Sequence, residues 1–250
     1  MKFNVIRLDR TASTNSYAQE LLQRSGAREG TIVWTDDQFE GRGQGSNSWC
    51  SQAGKNLTFS LILEPLFLPP AKQFILNKTM ALAVLKSLRQ LIPAGIQTFV
   101  KWPNDIYAGE SKIAGILIEH NIIGASIKNS VIGIGLNLNQ EEYPADIPNP
   151  VSLMQISGKE YKPGDVLETV CGNLEAEYSR LRYVEHHVVD NEYNISLMGL
   201  GIELDFTGAG FSFRGRIQGV DDSGRLCVLT AEGVTRIYNH GEIRFSQNIH

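Results

Sequence analysis

Three apolar segments in the middle of the chain constrain the fold more than any other feature of the sequence. They cover residues 98–102, 113–120 and 130–138, and each has the composition of a strand. Turn residues separate them, notably Ala-Gly-Glu at 108–110 and Ile-Gly-Ala at 123–125. This arrangement favours an antiparallel meander over βαβ units.

Helices and further strands flank this meander. The pattern predicts strands at residues 3–8, 31–35 and 56–64 and helices at residues 16–26, 71–91 and 163–184. The first helix carries a possible capping box of Ser16 and Gln19 and a stop signal at Gly26. Together these segments predict an α+β fold class, in which helices flank a mixed sheet.

The character of the sequence changes after Asn194. Strand-like segments at residues 204–206, 211–218, 226–230 and 234–238 are joined by turn sequences. Such a series of short strands fits a small closed β-barrel. The sequence therefore predicts two domains, residues 1–193 and residues 194–250.

The composition narrows the class of protein. The chain of 250 residues is 42% hydrophobic and 20% charged, which is typical of a globular protein. Its formal net charge of −4 argues against bulk binding to nucleic acid or to an anionic membrane. Three widely spaced cysteines fit neither a disulfide framework nor a zinc site. Because there is no signal-peptide pattern and no apolar run of about 18–20 residues, we expect a cytoplasmic protein.

A long polar stretch, residues 36–54, contains the first candidate site. Residues 41–49 lie within this stretch and are here called the glycine loop. In this loop three glycines alternate with other residues before Trp49. Alternating glycines let backbone N–H groups curl around an anion, and Arg42 adds a forked cation suited to phosphate or carboxylate. The alternative is a flexible surface loop that Trp49 anchors to the core.

The second candidate is the sequence Lys-Trp-Pro-Asn-Asp at residues 101–105, directly after a predicted strand. Lys101 is a point charge that can neutralise a substrate carboxylate and a phosphate together. Asn104 and Asp105 offer oxygen atoms to a hydrated magnesium ion. The alternative is a strand end followed by a capped turn.

Glycines inside the meander form a third feature. Gly115 lies in one apolar run, and Gly133 and Gly135 lie in the next. Because glycine weakens a buried strand, these positions indicate close packing of a ligand or another group against the backbone, although a β-bulge is the alternative at Gly115. Asn137 follows, with donors and an acceptor that can read an adenine edge.

In this order, the motifs resemble those of the biotin–protein ligase family, the biotin–[acetyl-CoA-carboxylase] ligases. The shared features are residues 13–15, the glycine loop, residues 101–105, 112–115 and 133–137, and the C-terminal β segment. The resemblance implies a class II synthetase-like catalytic domain, with a mixed sheet flanked by helices, and a small C-terminal SH3-like β-barrel. Bifunctional members carry an N-terminal DNA-binding domain, and we expect none here because the first catalytic strand begins at Phe3.

The family implies two half-reactions that use biotin, ATP and Mg²⁺. Biotin's carboxylate attacks the α-phosphorus of ATP and gives biotinyl-5′-AMP and pyrophosphate. A lysine of a biotin carboxyl carrier protein or domain, as in acetyl-CoA carboxylase, then attacks the mixed anhydride. We expect no nucleic-acid or membrane partner, and the sequence leaves open whether the protein is a monomer or a homodimer.

The resemblance also implies roles for individual residues. The catalytic residues are Lys101 and Arg42. The biotin-binding residues are Ser13, Thr14, Asn15, Gln38, Arg42, Gly43, Gln44, Lys101 and Gly115. The nucleotide-binding residues are Arg42, Trp49, Asn104, Lys112 and Asn137. The candidate magnesium ligand is Asp105.

The mixed anhydride is easily hydrolysed, so the glycine loop is interpreted as a lid that orders over it and excludes water, with Trp49 as a hydrophobic latch. Three alternatives stay open at this point. One is a ligase for lipoate or another acyl acid on the same scaffold. Another is a non-catalytic biotin- or nucleotide-binding sensor, against which the joint presence of Arg42 and Lys101 argues. The third is a carrier-protein interaction module that docks its partner through the C-terminal barrel.

Overall fold

The computed structural model describes residues 1–24 and 26–245, which form two β-sheets and several helices. The strands of the larger sheet are β1 (Asn4–Thr11), β2 (Thr31–Gln38), β3 (Leu57–Leu63), β4 (Thr98–Lys101), β5 (Asp105–Ala108), β6 (Ser111–Ile123) and β7 (Ser126–Leu136). They lie in the order β1-β2-β3-β7-β6-β5-β4. Because β1 and β2 are parallel and the other neighbours antiparallel, the predicted mixed sheet is confirmed.

Helix α1 (Thr14–Gln23) connects the parallel strands β1 and β2. Ser13 caps this helix: its backbone is extended, with φ −151° and ψ 131°, and its hydroxyl oxygen accepts a hydrogen bond from the Ser16 N–H. The predicted capping box of Ser16 and Gln19 is therefore wrong, because the helix begins two residues before Ser16. The earlier start places Thr14 and Asn15 in a buried first turn.

The larger sheet is covered on both faces. On one face, Ala18 of α1 packs with Val33 and Ile62. The other face packs against α2 (Phe74–Leu91) and α4 (Pro163–Leu181). Since neighbouring residues of a strand point to opposite faces, the central strand β3 is buried at every position.

Several short elements were not predicted. β5 pairs with both β4 and β6 and thereby completes the antiparallel meander that the sequence predicts. Helix α3 (Leu153–Ser157) begins with a capping box, and helix α5 (His186–Ile195) follows α4. Within the described parts of the chain, no helix combines the length and the apolar character needed to cross a bilayer.

The smaller sheet lies at the C-terminal end of the chain. Its strands are β8 (Glu203–Gly208), β9 (Phe211–Val220), β10 (Leu226–Thr230), β11 (Thr235–Tyr238) and β12 (Ile243–Phe245). They lie in the order β11-β10-β9-β8-β12 and pair antiparallel, which confirms a C-terminal β domain. No ladder among the described residues joins the edge strands β11 and β12, so hydrogen bonds do not close the expected barrel.

The predicted domain boundary at residue 194 falls near a change of structure. Helix α5 continues to Ile195, and the first strand of the smaller sheet begins at Glu203. The exact boundary stays a prediction, and residues 246–250 of the predicted second domain lie outside the described residues.

Candidate active site

The predicted site residues converge on one cleft. It lies where the start of α1, the glycine loop, residues 101–105 and strands β6 and β7 meet. The predicted residues that line it are Ser13, Thr14, Asn15, Gln38, Arg42, Gly43, Gln44, Trp49, Lys101, Asn104, Asp105, Lys112 and Gly115. Residues that are distant in the sequence therefore share one concave surface, as a binding site requires.

A buried polar network fixes the start of α1 at one side of this cleft. Thr14 donates to Gln38 Oε1 from its backbone N–H at 2.9 Å and from its hydroxyl at 3.2 Å. The fully buried Ser60 Oγ on β3 lies 2.8 Å from Thr14 Oγ1 and 2.6 Å from Asn15 Oδ1. Sequence analysis missed Ser60, although a serine inside a mostly apolar strand was a signal for such a network.

The glycine loop is a compact hairpin. Arg42 and Ser48 form an antiparallel bridge, and the N–H of Gly43 donates to Asn47 O at 2.8 Å. Gly45 has a φ of +66°, a backbone conformation that side-chain-bearing residues rarely adopt. This hairpin brings the side chain of Arg42 to the cleft.

The glycines of β6 and β7 accommodate side chains of the protein itself. A Cβ atom added at Gly135 would lie 2.3 Å from Trp49 Cε2, and one added at Gly115 would lie 3.1 Å from Trp49 Cζ3. At Gly133 an added Cβ would lie 2.2 Å from Asn15 Oδ1. The indole of Trp49 thus packs on the backbone of β6 and β7 at Gly115 and Gly135. Its Nε1 is buried without a hydrogen-bond acceptor.

Gly135→Ala tests this packing and is expected to lower the free energy of unfolding by about 1–3 kcal/mol, because the added methyl group overlaps the indole. The cost should disappear in a Trp49→Ala background, measured by urea denaturation. Gly172→Ala is the matched control: an added Cβ there meets nothing within 4 Å, and alanine favours its helix. An equal cost with and without Trp49 would contradict this account.

Lys101 ends β4 as a half-buried cation between two aromatic rings. Its Nζ lies 5.1 Å from the ring centre of Tyr107 and 5.6 Å from that of Phe245, within range of cation–π attraction. Burial of the ammonium group lowers the pKa of Lys101; the Asp105 carboxylate opposes this effect and Lys112 adds to it. The side chain is a positioned cation whose charge is not cancelled by a direct ion pair with a carboxylate in the described residues.

Arg42, the second predicted catalytic cation, is held by a carboxylate that the sequence analysis did not include. Its Nη2 lies 2.6 Å from Glu119 Oε1 and its Nη1 lies 3.4 Å from Glu119 Oε2. Glu119 Oε2 also accepts a hydrogen bond of 2.8 Å from Asn15 Nδ2. Glu119 therefore links the glycine loop to the start of α1.

Asp105, the predicted magnesium ligand, forms an ion pair of 2.7 Å with Lys112 at the edge of the cleft. The Nζ of Lys112 also lies 5.7 Å from the ring centre of Trp49. Among the described residues, no group of three or more His, Cys, Asp or Glu side chains is placed to hold a metal ion. Asp105 offers a single carboxylate, which fits a cation held mainly by substrate phosphates and water and not one held in a protein cage.

The two predicted amide contacts to the nucleotide differ in position. Asn104 lines the cleft, and its Nδ2 donates to Ile116 O at 2.6 Å. Asn137 lies outside the cleft lining, and its Nδ2 donates to Val151 O at 3.1 Å. The side chain of Asn137 thus has a structural partner, and its contact with adenine stays a prediction.

The C-terminal β domain contributes to the cleft, which the sequence did not reveal. His240 lines it, with its ring centre 5.9 Å from that of Trp102. The Trp102 indole donates to Gly224 O at 2.8 Å. Together with Phe245 beside Lys101, these contacts attach the C-terminal domain directly to residues 101–105.

A cleft that holds two cations beside a polar pocket suits an enzyme that brings a carboxylic acid against a phosphate, because fixed positive charge offsets the repulsion of the two anions. Residues 8–137 match the sequence model described as "Biotin/lipoate A/B protein ligase family", and residues 201–246 match that of the "Biotin protein ligase C terminal domain". The chain belongs to the biotin/lipoate protein ligase family.

Individual relatives carry biotin-related names. The chain is 34% identical over 243 residues to the bifunctional ligase/repressor BirA of Bacillus subtilis, covering 94% of this chain and 72% of that protein. It is 30% identical to the biotin--[acetyl-CoA-carboxylase] ligase of Mycobacterium tuberculosis, covering 95% and 88%. Its structure is similar to the biotin protein ligase of Aquifex aeolicus in complex with biotin and ATP, with a TM-score of 0.79, 29% identity and coverage of 97% and 99%.

Proposed function

We propose that this protein is an ATP-dependent biotin–protein ligase. It converts biotin and ATP into biotinyl-5′-AMP and pyrophosphate, and then transfers the biotinyl group to a lysine of a biotin carboxyl carrier domain. The observation that carries the proposal is the convergence of Lys101 and Arg42 on one cleft with the polar start of α1. The matched C-terminal domain and the biotin-related relatives support biotin over other acids.

The first half-reaction joins two anions. A carboxylate oxygen of biotin bonds to the α-phosphorus of ATP while the bond between the α-phosphorus and the bridging oxygen breaks, and pyrophosphate leaves. Repulsion between the carboxylate and the phosphates opposes this approach, so fixed positive charges in a water-poor cleft accelerate it. Lys101 contacts the carboxylate and the α-phosphate, and Arg42 binds the same region from the glycine loop.

Biotin needs an apolar slot with a few polar groups for its ureido ring. In this proposal Ser13, Thr14, Asn15 and Gln38 supply those groups from the start of α1 and the end of β2. Gln44 offers its backbone N–H group to the carboxylate region, and Gly43 borders the same region although its own N–H donates to Asn47 O. Gly115 borders the ligand where the Trp49 indole packs on β6.

The nucleotide occupies the side of the cleft near the glycine loop and β6. In this proposal Arg42, Trp49, Asn104 and Lys112 contact it. Asp105 would hold a magnesium ion there together with the phosphates, and the ion would neutralise phosphate charge. The ion pair with Lys112 keeps the carboxylate at the cleft edge.

The second half-reaction requires a protein partner. The amine of the carrier lysine attacks the carbonyl carbon of the mixed anhydride, and AMP leaves with the electrons of the broken carbon–oxygen bond. We propose a carboxylase carrier domain as this partner, with acetyl-CoA carboxylase as the first to test. We place the reaction in the cytoplasm, which supplies the ATP that it consumes. The glycine loop covers the anhydride until the carrier arrives.

An isotope-exchange assay tests the proposal. The protein is incubated with ATP, Mg²⁺, labelled pyrophosphate and either biotin or lipoate, and label entering ATP is measured. A biotin carrier domain is then added and its biotinylation is detected with avidin. Biotin-dependent exchange and avidin binding are expected. Exchange with lipoate alone would indicate a lipoate ligase, and binding of biotin without any exchange would indicate a sensor.

A further inference from the structure

Glu119 lies on the cleft side of β6. Strand residues two apart point to the same face, so Glu119 shares a face with Gly115 and Leu117, both of which line the cleft. Its carboxylate accepts hydrogen bonds from both terminal nitrogens of Arg42 and from Asn15 Nδ2. A half-buried carboxylate with three such donors is a fixed anchor for the guanidinium.

The anchor itself rests on rigid structure. Asn15 Oδ1 lies 2.6 Å from the fully buried Ser60 Oγ, which fixes the orientation of the amide. Gly133 leaves the space that Asn15 fills, because a Cβ there would lie 2.2 Å from Asn15 Oδ1. The amide therefore presents its Nδ2 donor to Glu119, and the sheet holds the carboxylate in one place.

Unlike Glu119 and Asn15, Arg42 lies on a loop, between two glycines, and its side chain is 48% exposed. Without a partner, an arginine there would populate many rotamers. The bond to Glu119 occupies two of the five N–H donors of the guanidinium, so the remaining donors are available to a ligand anion. A carboxylate or phosphate can therefore bind Arg42 while Glu119 continues to hold it.

We propose that Glu119 is a positioning residue, which holds Arg42 over the cleft and thereby keeps the glycine loop closed on the acyl-adenylate. This inference rests on the proposed function for its ligand, but the ion pair and its effect on the loop do not depend on that function. Glu119 acts through Arg42 and does not contact the reacting atoms.

Two measurements on the intact protein test the proposal in a Glu119→Gln variant, which keeps the size and an acceptor for Asn15 but removes the charge. The first is the rate of trypsin cleavage after Arg42 in the ligand-free protein, followed by mass spectrometry. Trypsin must bind the Arg42 side chain, so cleavage requires this side chain to leave Glu119. The second is the release rate of preformed biotinyl-AMP. Both rates are expected to rise about tenfold, the effect of losing one charge-assisted bond. The melting temperature should change little, because the Arg42 partner of this pair is largely exposed and such pairs contribute little to global stability.

A control variant and a double variant distinguish the positioning of Arg42 from a general loss of protein stability. Glu20→Gln is the control: it removes the ion pair between Glu20 and Arg24, which lies away from the glycine loop, and it should leave both rates unchanged. Arg42→Gln/Glu119→Gln should release biotinyl-AMP no faster than Arg42→Gln, because both residues act as one unit. Unchanged cleavage after Arg42 and unchanged release in Glu119→Gln would overturn the proposal. Faster cleavage in a protein that forms no biotinyl-AMP would support the positioning of Arg42 and overturn only the proposed function.

Discussion

Replacing Lys101 with alanine is expected to slow biotin-dependent pyrophosphate exchange by at least about 100- to 1,000-fold, the loss typical of removing one group that stabilises developing charge. The protein should still fold, because Lys101 ends a strand and its main interactions are with the rings of Tyr107 and Phe245. Losing those contacts costs about 1–2 kcal/mol at most. The rate should therefore fall while the urea midpoint moves little.

The matched control is Lys128→Ala, which removes an exposed lysine from β7. Its exchange rate and its stability should both equal those of the unmodified protein. Near-normal exchange in Lys101→Ala would rule out Lys101 as the principal cation of the first half-reaction. A Lys101→Ala protein that fails to fold would show up as lost cooperativity in urea, which separates a structural role from a catalytic one.

The pH dependence of the same reaction provides a second check. Only the protonated amine supplies positive charge, and burial lowers the pKa of Lys101. As pH rises, the charge is lost earlier than in a free lysine, so the exchange rate should fall on the alkaline side. Lys101→Arg keeps its charge at every pH of interest, so this fall should move to higher pH although the overall rate is lower.

The sequence predicted most strands of the larger sheet, because strands depend on local patterns. All its candidate site residues except Asn137 line one cleft, while their roles stay predictions. The glycines of β6 and β7 are an example: their presence in buried strands indicated close packing, and the structure assigns that packing to Trp49 and Asn15. What the sequence could not specify was the identity of the packed group, because Trp49 is brought there from a loop far away along the chain.

Asn137 shows how a pattern argument reaches its limit. It lies two residues beyond Gly135, so strand alternation would point it to the same face. However, β7 ends at Leu136, which places Asn137 just outside the strand. The amide instead donates to Val151 O in the following segment. The end of a strand is set by its partners, which a local pattern does not contain.

Partners that are distant in sequence were missed for the same reason. Glu119 ended an apolar run and gave no sign that Arg42, 77 positions earlier, would be its partner. Phe245 ends β12 and His240 lies in the turn between β11 and β12, whereas the predicted strands end at residue 238. The sequence pattern therefore did not indicate that these two side chains contact residues 101–105. These long-range contacts determine the shape of the cleft, whereas the local motifs determine only its chemistry.

Lys78 makes the clearest long-range contacts of this kind, and removing its side chain should destabilise the whole protein. It lies on α2 with a side chain only 1% exposed, and its Nζ contacts Asp190 Oδ1 at 2.7 Å. The same amine donates to the carbonyl oxygens of Val220 and Asp221 in the C-terminal domain, at 3.0 and 3.3 Å. One buried cation thus joins two helices and the turn that precedes β10.

Lys78→Ala is expected to reduce the free energy of unfolding by about 3–5 kcal/mol, because it leaves a carboxylate and two carbonyl groups without their partner. That is a large part of a typical stability of about 5–15 kcal/mol. Lys72→Ala is the matched control: Lys72 pairs with Asp222 in the same turn, but its side chain is 43% exposed. An exposed pair contributes about 1 kcal/mol or less, so this variant should unfold at nearly the original urea concentration.

The Lys78 variant should also affect catalysis through the turn that it holds. Gly224, at the end of that turn, accepts the hydrogen bond from the Trp102 indole, next to Lys101. If the turn shifts, Trp102 loses a fixed partner, so pyrophosphate exchange should fall several-fold at a temperature where Lys78→Ala is still folded. A Lys78→Met/Asp190→Leu protein should regain part of the stability, because no carboxylate is left unpaired, without regaining the exchange rate. Equal urea midpoints for Lys78→Ala and Lys72→Ala would show instead that water or a rearranged side chain replaces the buried amine.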